Sequence, residues 1–184
     1  MKEIAKNVYK LNVDSNIYFL DLKEKIIIDS GPRMYRQVVE EELSKKIELG
    51  KVDRVVFTHL HYDHTGNFDL FPNAKYYASS SEIELLKKNK MFTIGDPLLA
   101  MWFKVKLNPL EDFLGIKIIN TPGHTKGSVC LYYEKEKVLF SGDTLFFNGI
   151  GRTDLPFSEA SKMDSSLKSL EKIGYKILAP GHDY

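Results

Sequence analysis

Three of the chain's five histidines fall in one short block, Thr58–Gly66, which reads THLHYDHTG. Residues i and i+2 of an extended segment face the same way. His59 and His61 can therefore grip one cation where a strand ends. Asp63 and His64 come next, where the chain turns toward a helix, and can face a second cation a few ångströms away. Such a block restricts the fold, because the remaining ligands must arrive on loops at the same end of other strands.

Three loops fit that demand. Pro122-Gly123-His124 follows an expected strand at 116–120, Gly142-Asp143 follows one at 138–141, and Pro180-Gly181-His182 follows one at 176–179. Each sets a polar ligand type where a β-branched segment stops, with glycine permitting close backbone approach. The grouping predicted is His59, His61 and His124 around one ion, and Asp63, His64 and His182 around the other, with Asp143 bridging. A shared carboxylate offsets the repulsion between two divalent cations about 3.5–4 Å apart. A structural zinc site closes its shell with four ligands, usually including cysteine. Here seven candidates without a cysteine leave coordination positions open, which points to chemistry. Two divalent metal ions are expected, zinc foremost, with iron or manganese as alternatives.

The rest of the chain supplies the scaffold. Strands are predicted over 8–13, 16–22 and 25–29, then a helix over 34–49 with Gly50 as its stop, and a buried strand over 52–58. The second half repeats the habit: a strand at 74–78, a helix at 80–88 capped by Ser80 or Ser81, and strands at 116–120, 128–133 and 138–141. A helix over 158–173 and a strand over 176–179 complete it. Strand clusters followed by a helix, twice over, predict an α+β fold of two sheets packed face to face with helices outside. The apolar stretch Met91–Val105, MFTIGDPLLAMWFKV, has no clean period. It reads as a core or subunit contact, which leaves a homo-oligomer open, or as the wall of a substrate pocket.

Length and composition narrow the function classes. At 184 residues and 43% hydrophobic content, the chain is expected to form one domain, 1–184, with a real core. A net charge of +1 leaves no basic excess to draw it onto nucleic acid or an anionic membrane. No apolar run approaches the roughly 18 residues of a membrane span, and the first residues lack a signal-peptide core. The reading is a cytoplasmic protein acting on a small molecule. The single cysteine, Cys130, lies in an alternating apolar stretch and is expected to pack in the core.

With these residues in place, the sequence resembles the metallo-β-lactamase-fold hydrolase superfamily, within it the glyoxalase II-like branch. The resemblance runs through IIIDSG around Asp29, THLHYDH, TPGHTKGS around His124, SGDTLF around Asp143 and APGH at His182. It implies an αββα sandwich of two mixed β-sheets with the metals at one edge. Asp29 would orient the ligands from behind, with Thr58 in the same supporting role, and Arg152 and Asp154 would brace the site or its substrate side. The implied reaction is hydrolysis of a thioester or related acyl compound by a hydroxide held between two metals, with Asp63 and Asp143 as catalytic carboxylates.

GIGRTDLP at 149–156 also looks like the signature of persulfide dioxygenases. The alternative is therefore a mononuclear Fe(II) enzyme using His59, His124 and Asp143. A nuclease is disfavoured by the charge, and a non-catalytic metal-binding module by the open shell. The chain stops two residues after His182, without the helical domain that supplies much of the glutathione contact in full-length glyoxalase II. Lys126, Arg152 and Tyr184 are then the candidates for gripping an anionic substrate tail.

Overall fold

A computed structural model describes residues 1–184. Eleven strands form two sheets. The first holds β1 (Lys2–Ala5), β2 (Val8–Asn12), β3 (Asn16–Asp21), β4 (Lys25–Ile28), β5 (Arg54–Val56), β6 (Lys75–Ala78) and β7 (Leu107–Pro109) in sequence order. The second runs β11 (Ile177–Pro180), β10 (Val138–Gly142), β9 (Val129–Tyr133), β8 (Ile116–Asn120). Both are mixed. β1 to β4 pair antiparallel and β4 to β7 parallel, while β8, β9 and β10 are antiparallel and β11 joins parallel.

The period-2 alternation of the strands explains the layering. Tyr18, Leu20, Ile26 and Ile28 turn toward the second sheet and pack with Leu131, Val138 and Phe140. Ile17, Phe19 and Ile27 turn the other way and meet helix α1 (Arg36–Ser44) through Val39 and Leu43. Across the second sheet the same logic sends Leu139 and Cys130 outward onto Leu170 of helix α6 (Ala160–Glu171). The result is the expected αββα sandwich. No helix is long and apolar enough to cross a membrane.

Several expected boundaries shift. The helix over 34–49 is shorter, Arg36–Ser44, and Gly50 lies in a separate 3₁₀ turn, Leu49–Lys51, instead of stopping it. Helix α2 is the four residues Tyr62–Thr65. The cap of α3 (Ser80–Lys88) is Ser79, whose hydroxyl accepts from Glu82 N at 3.1 Å. The stretch without a period holds two short helices, α4 (Lys90–Ile94) and α5 (Pro97–Trp102). Asp96-Pro97 starts the second of them: Asp96 caps Leu99 N at 2.7 Å, and proline suits a first helical position.

Strand ends converge as the sequence requires. Val129 N donates to Thr58 O across the two sheets, and Asn16 N donates to Gly181 O, so the ends of β5, β10 and β11 open on one edge of the sandwich.

Candidate metal centre

The five histidines and two aspartates expected as ligands meet at that edge. His59 and His64 are fully buried, and His61, His124, His182 and Asp143 are nearly so. Three overlapping groups hold ligand atoms within 4.8 Å of one another: His59, His61 and His124; His59, His64 and Asp143; and Asp63, His64 and His182. Asp143 lies between the outer two, with Oδ1 3.2 Å from His64 Nε2 and Oδ2 3.6 Å from both His124 Nε2 and His182 Nε2.

Hydrogen bonds on the far side of the rings fix which nitrogen faces the centre. Carbonyl and carboxylate oxygens only accept. His64 Nδ1 therefore donates to Asp29 Oδ2 at 2.9 Å, His124 Nδ1 to Arg152 O at 2.8 Å, and His182 Nδ1 to Asp14 O at 3.1 Å. Thr58 Oγ1 donates to Asp29 Oδ2 at 2.8 Å, leaving its lone pair for His59 Nδ1 at 3.2 Å. Four Nε2 lone pairs thus point inward. His61 differs by presenting Nδ1, 2.9 Å from His124 Nε2. This is the arrangement that orients metal-binding imidazoles.

The residues fit divalent cations on a direct test. His59 Nε2, His64 Nε2 and Asp143 Oδ1 are buried with no hydrogen-bond partner. Unpaired buried polar atoms are costly and rare, and these three face one another. The electrostatics divide the site. Burial and the neighbouring rings push His59 down, and burial and His124 bring His61 down to about 4, so these nitrogens offer free lone pairs at neutral pH. Burial also holds His124 below its ordinary value. On the other side, burial opposes charge on His64, but Asp143, Asp29 and Asp63 outweigh it and raise the ring well above its ordinary value. His182 is likewise raised despite burial, by Asp63 and Asp143. That half of the site favours positive charge, which a cation supplies in place of protons.

Asp29 holds the back of the cluster. It adopts a left-handed backbone, φ 56°, just past β4, and its carboxylate takes Thr58 N and Thr58 Oγ1 as well as His64. Two glycines let the loops close in: a Cβ at Gly181 would collide with Asp143 Oδ1, and one at Gly151 with Asp143 O.

Of the residues expected at the substrate side, Tyr184 stacks on the His182 ring, centroids 5.0 Å apart, and Arg152 lines the cleft. The Arg152 guanidinium is paired with Asp154 at 2.9 Å through two nitrogens. Lys126 corrects the expectation. It is exposed in a separate groove beside Ser79 and Glu159 and does not line the cleft, because the chain after His124 turns toward α3.

Sequence reading missed Glu82. Fully buried in α3, its carboxylate accepts from Leu60 N at 2.9 Å and Thr125 Oγ1 at 2.6 Å, tying the His59–His61 loop to the His124 loop. The available signal was Ser79-x-x-Glu82, the spacing of a helix capping box. Here the glutamate leaves its own cap and reaches the two ligand loops.

The metals would sit at the floor of a cleft of about 900 Å³ that includes His61, Asp63, His124, Asp143 and His182. A sequence model of the metallo-beta-lactamase superfamily matches residues 12–182. A "probable metallo-hydrolase" of Methanocaldococcus jannaschii is 32% identical, over 95% of this chain and 92% of its own. The cytoplasmic isozyme of hydroxyacylglutathione hydrolase from Saccharomyces cerevisiae is 33% identical over 88% of this chain, which spans only 60% of that relative's length. Among solved structures, TTHA1623 in a di-iron-bound form superposes with a TM-score of 0.75 at 23% identity, covering 96% of this chain and 92% of that one. The BLEG-1 B3 metallo-beta-lactamase does so with a TM-score of 0.72 at 26% identity and the same coverage.

Proposed function

The chain belongs to the metallo-beta-lactamase superfamily, and from that we propose that it is a hydrolase of thioesters or related activated acyl compounds, working with two divalent metal ions. The observation that carries this reading is the pair of ligand groups that meet at Asp143 on the floor of an open cleft. His59, His61 and His124 would hold one ion, Asp63, His64 and His182 the other, and Asp143 would serve both. Zinc suits nitrogen and carboxylate donors with positions left open. Bound there, such ions lower the pKa of water to about 7 and polarise a carbonyl.

The chain's own groups do the rest. Asp63, partly exposed to the cleft and 3.3 Å from His182 Nε2, is held well below the carboxylate range: burial opposes this, but His64 and His182 outweigh it. It is thus ionised at neutral pH and can accept a hydrogen bond from attacking water, which orients the nucleophile. Asp143 keeps its charge against burial through His64 and His124. Neither a serine nor a cysteine nucleophile is required. Cys130 is fully buried on the far face of the second sheet, and burial pushes its thiol up to about 11.

A mononuclear iron enzyme would use His59, His124 and Asp143 and leave Asp63 and His182 with no part to play. Asp63 and His182 instead form a ligand group of their own with His64, and that group supports the two-metal reading. The test is metal analysis joined to a substrate panel: S-lactoylglutathione, a lactone, a β-lactam, and glutathione persulfide followed with an oxygen electrode. Two metals per chain with thioester turnover is the expected result. Oxygen uptake with one iron bound would overturn it.

A further inference from the structure

The walls of the cleft are apolar and carry no free cation. The apolar lining comes from Met91, Phe92 and Pro97 of α4 and the start of α5, and from Phe146, Ile150 and Leu155 of the loop after β10. Several of these side chains stay open to solvent at the mouth: Met91 is 54% exposed, Phe92 55% and Ile150 45%. Exposed apolar side chains at the mouth of a cleft with a polar floor are the mark of a ligand groove.

Apart from the histidines, the one basic residue on the cleft is Arg152, and Asp154 takes its guanidinium through Nε and Nη2. No lysine lines the cleft: Lys90 Nζ donates to Phe103 O, Lys126 lines another groove, and Lys88 lies over the Phe157 ring, behind Phe92. The polar groups on the walls, Asn148 and the Tyr62 and Tyr184 hydroxyls, are neutral. A glutathione thioester carries two carboxylates on its thiol half. Carboxylates of that kind are best held by arginine or lysine, and the one guanidinium on these walls is already taken by Asp154.

We propose that the substrate is a thioester or ester with a neutral, apolar body, aliphatic or aromatic, lying along the Met91–Phe92 and Phe146–Ile150 walls with its carbonyl over the metal floor. The proposal rests on the hydrolase reading above and names the substrate class for that site. The reaction balances with water alone. Its oxygen forms the new bond to the acyl carbon, the carbon–sulfur bond breaks, and the thiol leaves with a proton.

The test compares the same acyl groups, two to eight carbons long, on glutathione and on N-acetylcysteamine, a neutral thiol, using the metal-loaded enzyme. Burying a methylene is worth about a three- to fourfold gain. kcat/KM should therefore climb by that factor per carbon until the groove is full, and the neutral thiol should be preferred at least tenfold. Phe92→Ser and Ile150→Ser, both exposed positions, should flatten the chain-length dependence.

Equilibrium binding gives a second reading without turnover: an apolar fluorescent dye bound in the cleft should be displaced by the hexyl thioether of N-acetylcysteamine and not by S-methylglutathione. Preference for glutathione thioesters with no chain-length dependence would overturn the apolar substrate and leave the hydrolase reading standing. If neither thioester series is hydrolysed, the thioesterase part of the hydrolase reading falls. Dye displacement then decides the cleft preference alone, and displacement by S-methylglutathione would overturn it.

Discussion

Asp29 Oδ2 lies 2.9 Å from His64 Nδ1, and the same oxygen accepts from Thr58 Oγ1 at 2.8 Å, whose lone pair faces His59 Nδ1. One buried carboxylate oxygen therefore fixes the tautomers of two rings that face different halves of the site. Asp29→Asn puts an amide there with one acceptor oxygen in place of two. Supporting groups of this kind are worth about 10- to 100-fold in metal affinity. The expected outcome is a loss in that range for both ions, measured by competition with a chromogenic chelator, with the far-ultraviolet circular dichroism unchanged.

Glu82 gives a separate prediction, because it contacts no ligand side chain and holds only the two loops. Glu82→Ala leaves Leu60 N without its acceptor, at a cost of about 1–3 kcal/mol for a buried group so orphaned, and leaves Thr125 Oγ1 with Ser128 Oγ alone. Metal affinity should fall with it, and Glu82→Gln, which keeps one acceptor, should restore part of the loss in both denaturant midpoint and affinity.

The same residue predicts a pH dependence of stability. Burial raises the Glu82 carboxyl above its ordinary 4.5, against the hydrogen bonds from Thr125, Leu60 and Gly127 that favour the charged form. The folded protein then holds this proton more tightly than the unfolded chain, so Glu82 contributes most below pH 4.5 and loses that contribution as pH rises through the raised value. The urea midpoint of the wild type, taken from pH 4 upward, should fall relative to that of Glu82→Gln as pH rises. Divergence in the wild type's favour would show that the hydrogen bonds outweigh burial.

Much of this site is legible in the sequence, and the reason is local. The His59–His61 pair stands out by its spacing, although the two sit on the loop between β5 and α2 and not on a strand, and His124, Asp143 and His182 announce themselves by following glycine-marked strand ends. Ile26, Ile27 and Ile28 mark a strand buried on both faces. What was hidden depends on distant partners. Glu82 meets Leu60 and Thr125 from 22 and 43 positions away. β1 is a half-exposed edge held by pairing with β2. α4 and α5 show no period because their apolar residues serve two environments, with Ile94 and Leu99 in the core and Phe92 and Met91 at the cleft.

Cys130 should be silent chemically. Its thiol is fully buried, within 3.4 Å of both Thr121 Oγ1 and Ser141 O, and burial pushes it up to about 11. A thiolate is the reactive form, so an aromatic disulfide reagent should label no thiol in the native protein at pH 8 and one per chain in guanidinium. Cys130→Ala should keep metal content and turnover.

Removal of metal should cost stability as well as activity. His59 Nε2, His64 Nε2 and Asp143 Oδ1 have no hydrogen-bond partner of their own, so a bound cation satisfies buried groups that nothing else in the fold satisfies. A ligand at 100 times its Kd stabilises the folded state by about 2.7 kcal/mol. In a chain of this size each kcal/mol moves Tm by about 2–4 °C. A strong chelator should therefore lower Tm by about 5–10 °C for each ion removed, and added zinc should restore it. His61→Ala and His182→Ala, which touch opposite halves, should each abolish one portion of the shift. An unchanged Tm after metal analysis has shown the ions gone would mean that the cluster satisfies itself, and the assignment of these seven residues as ligands would fall.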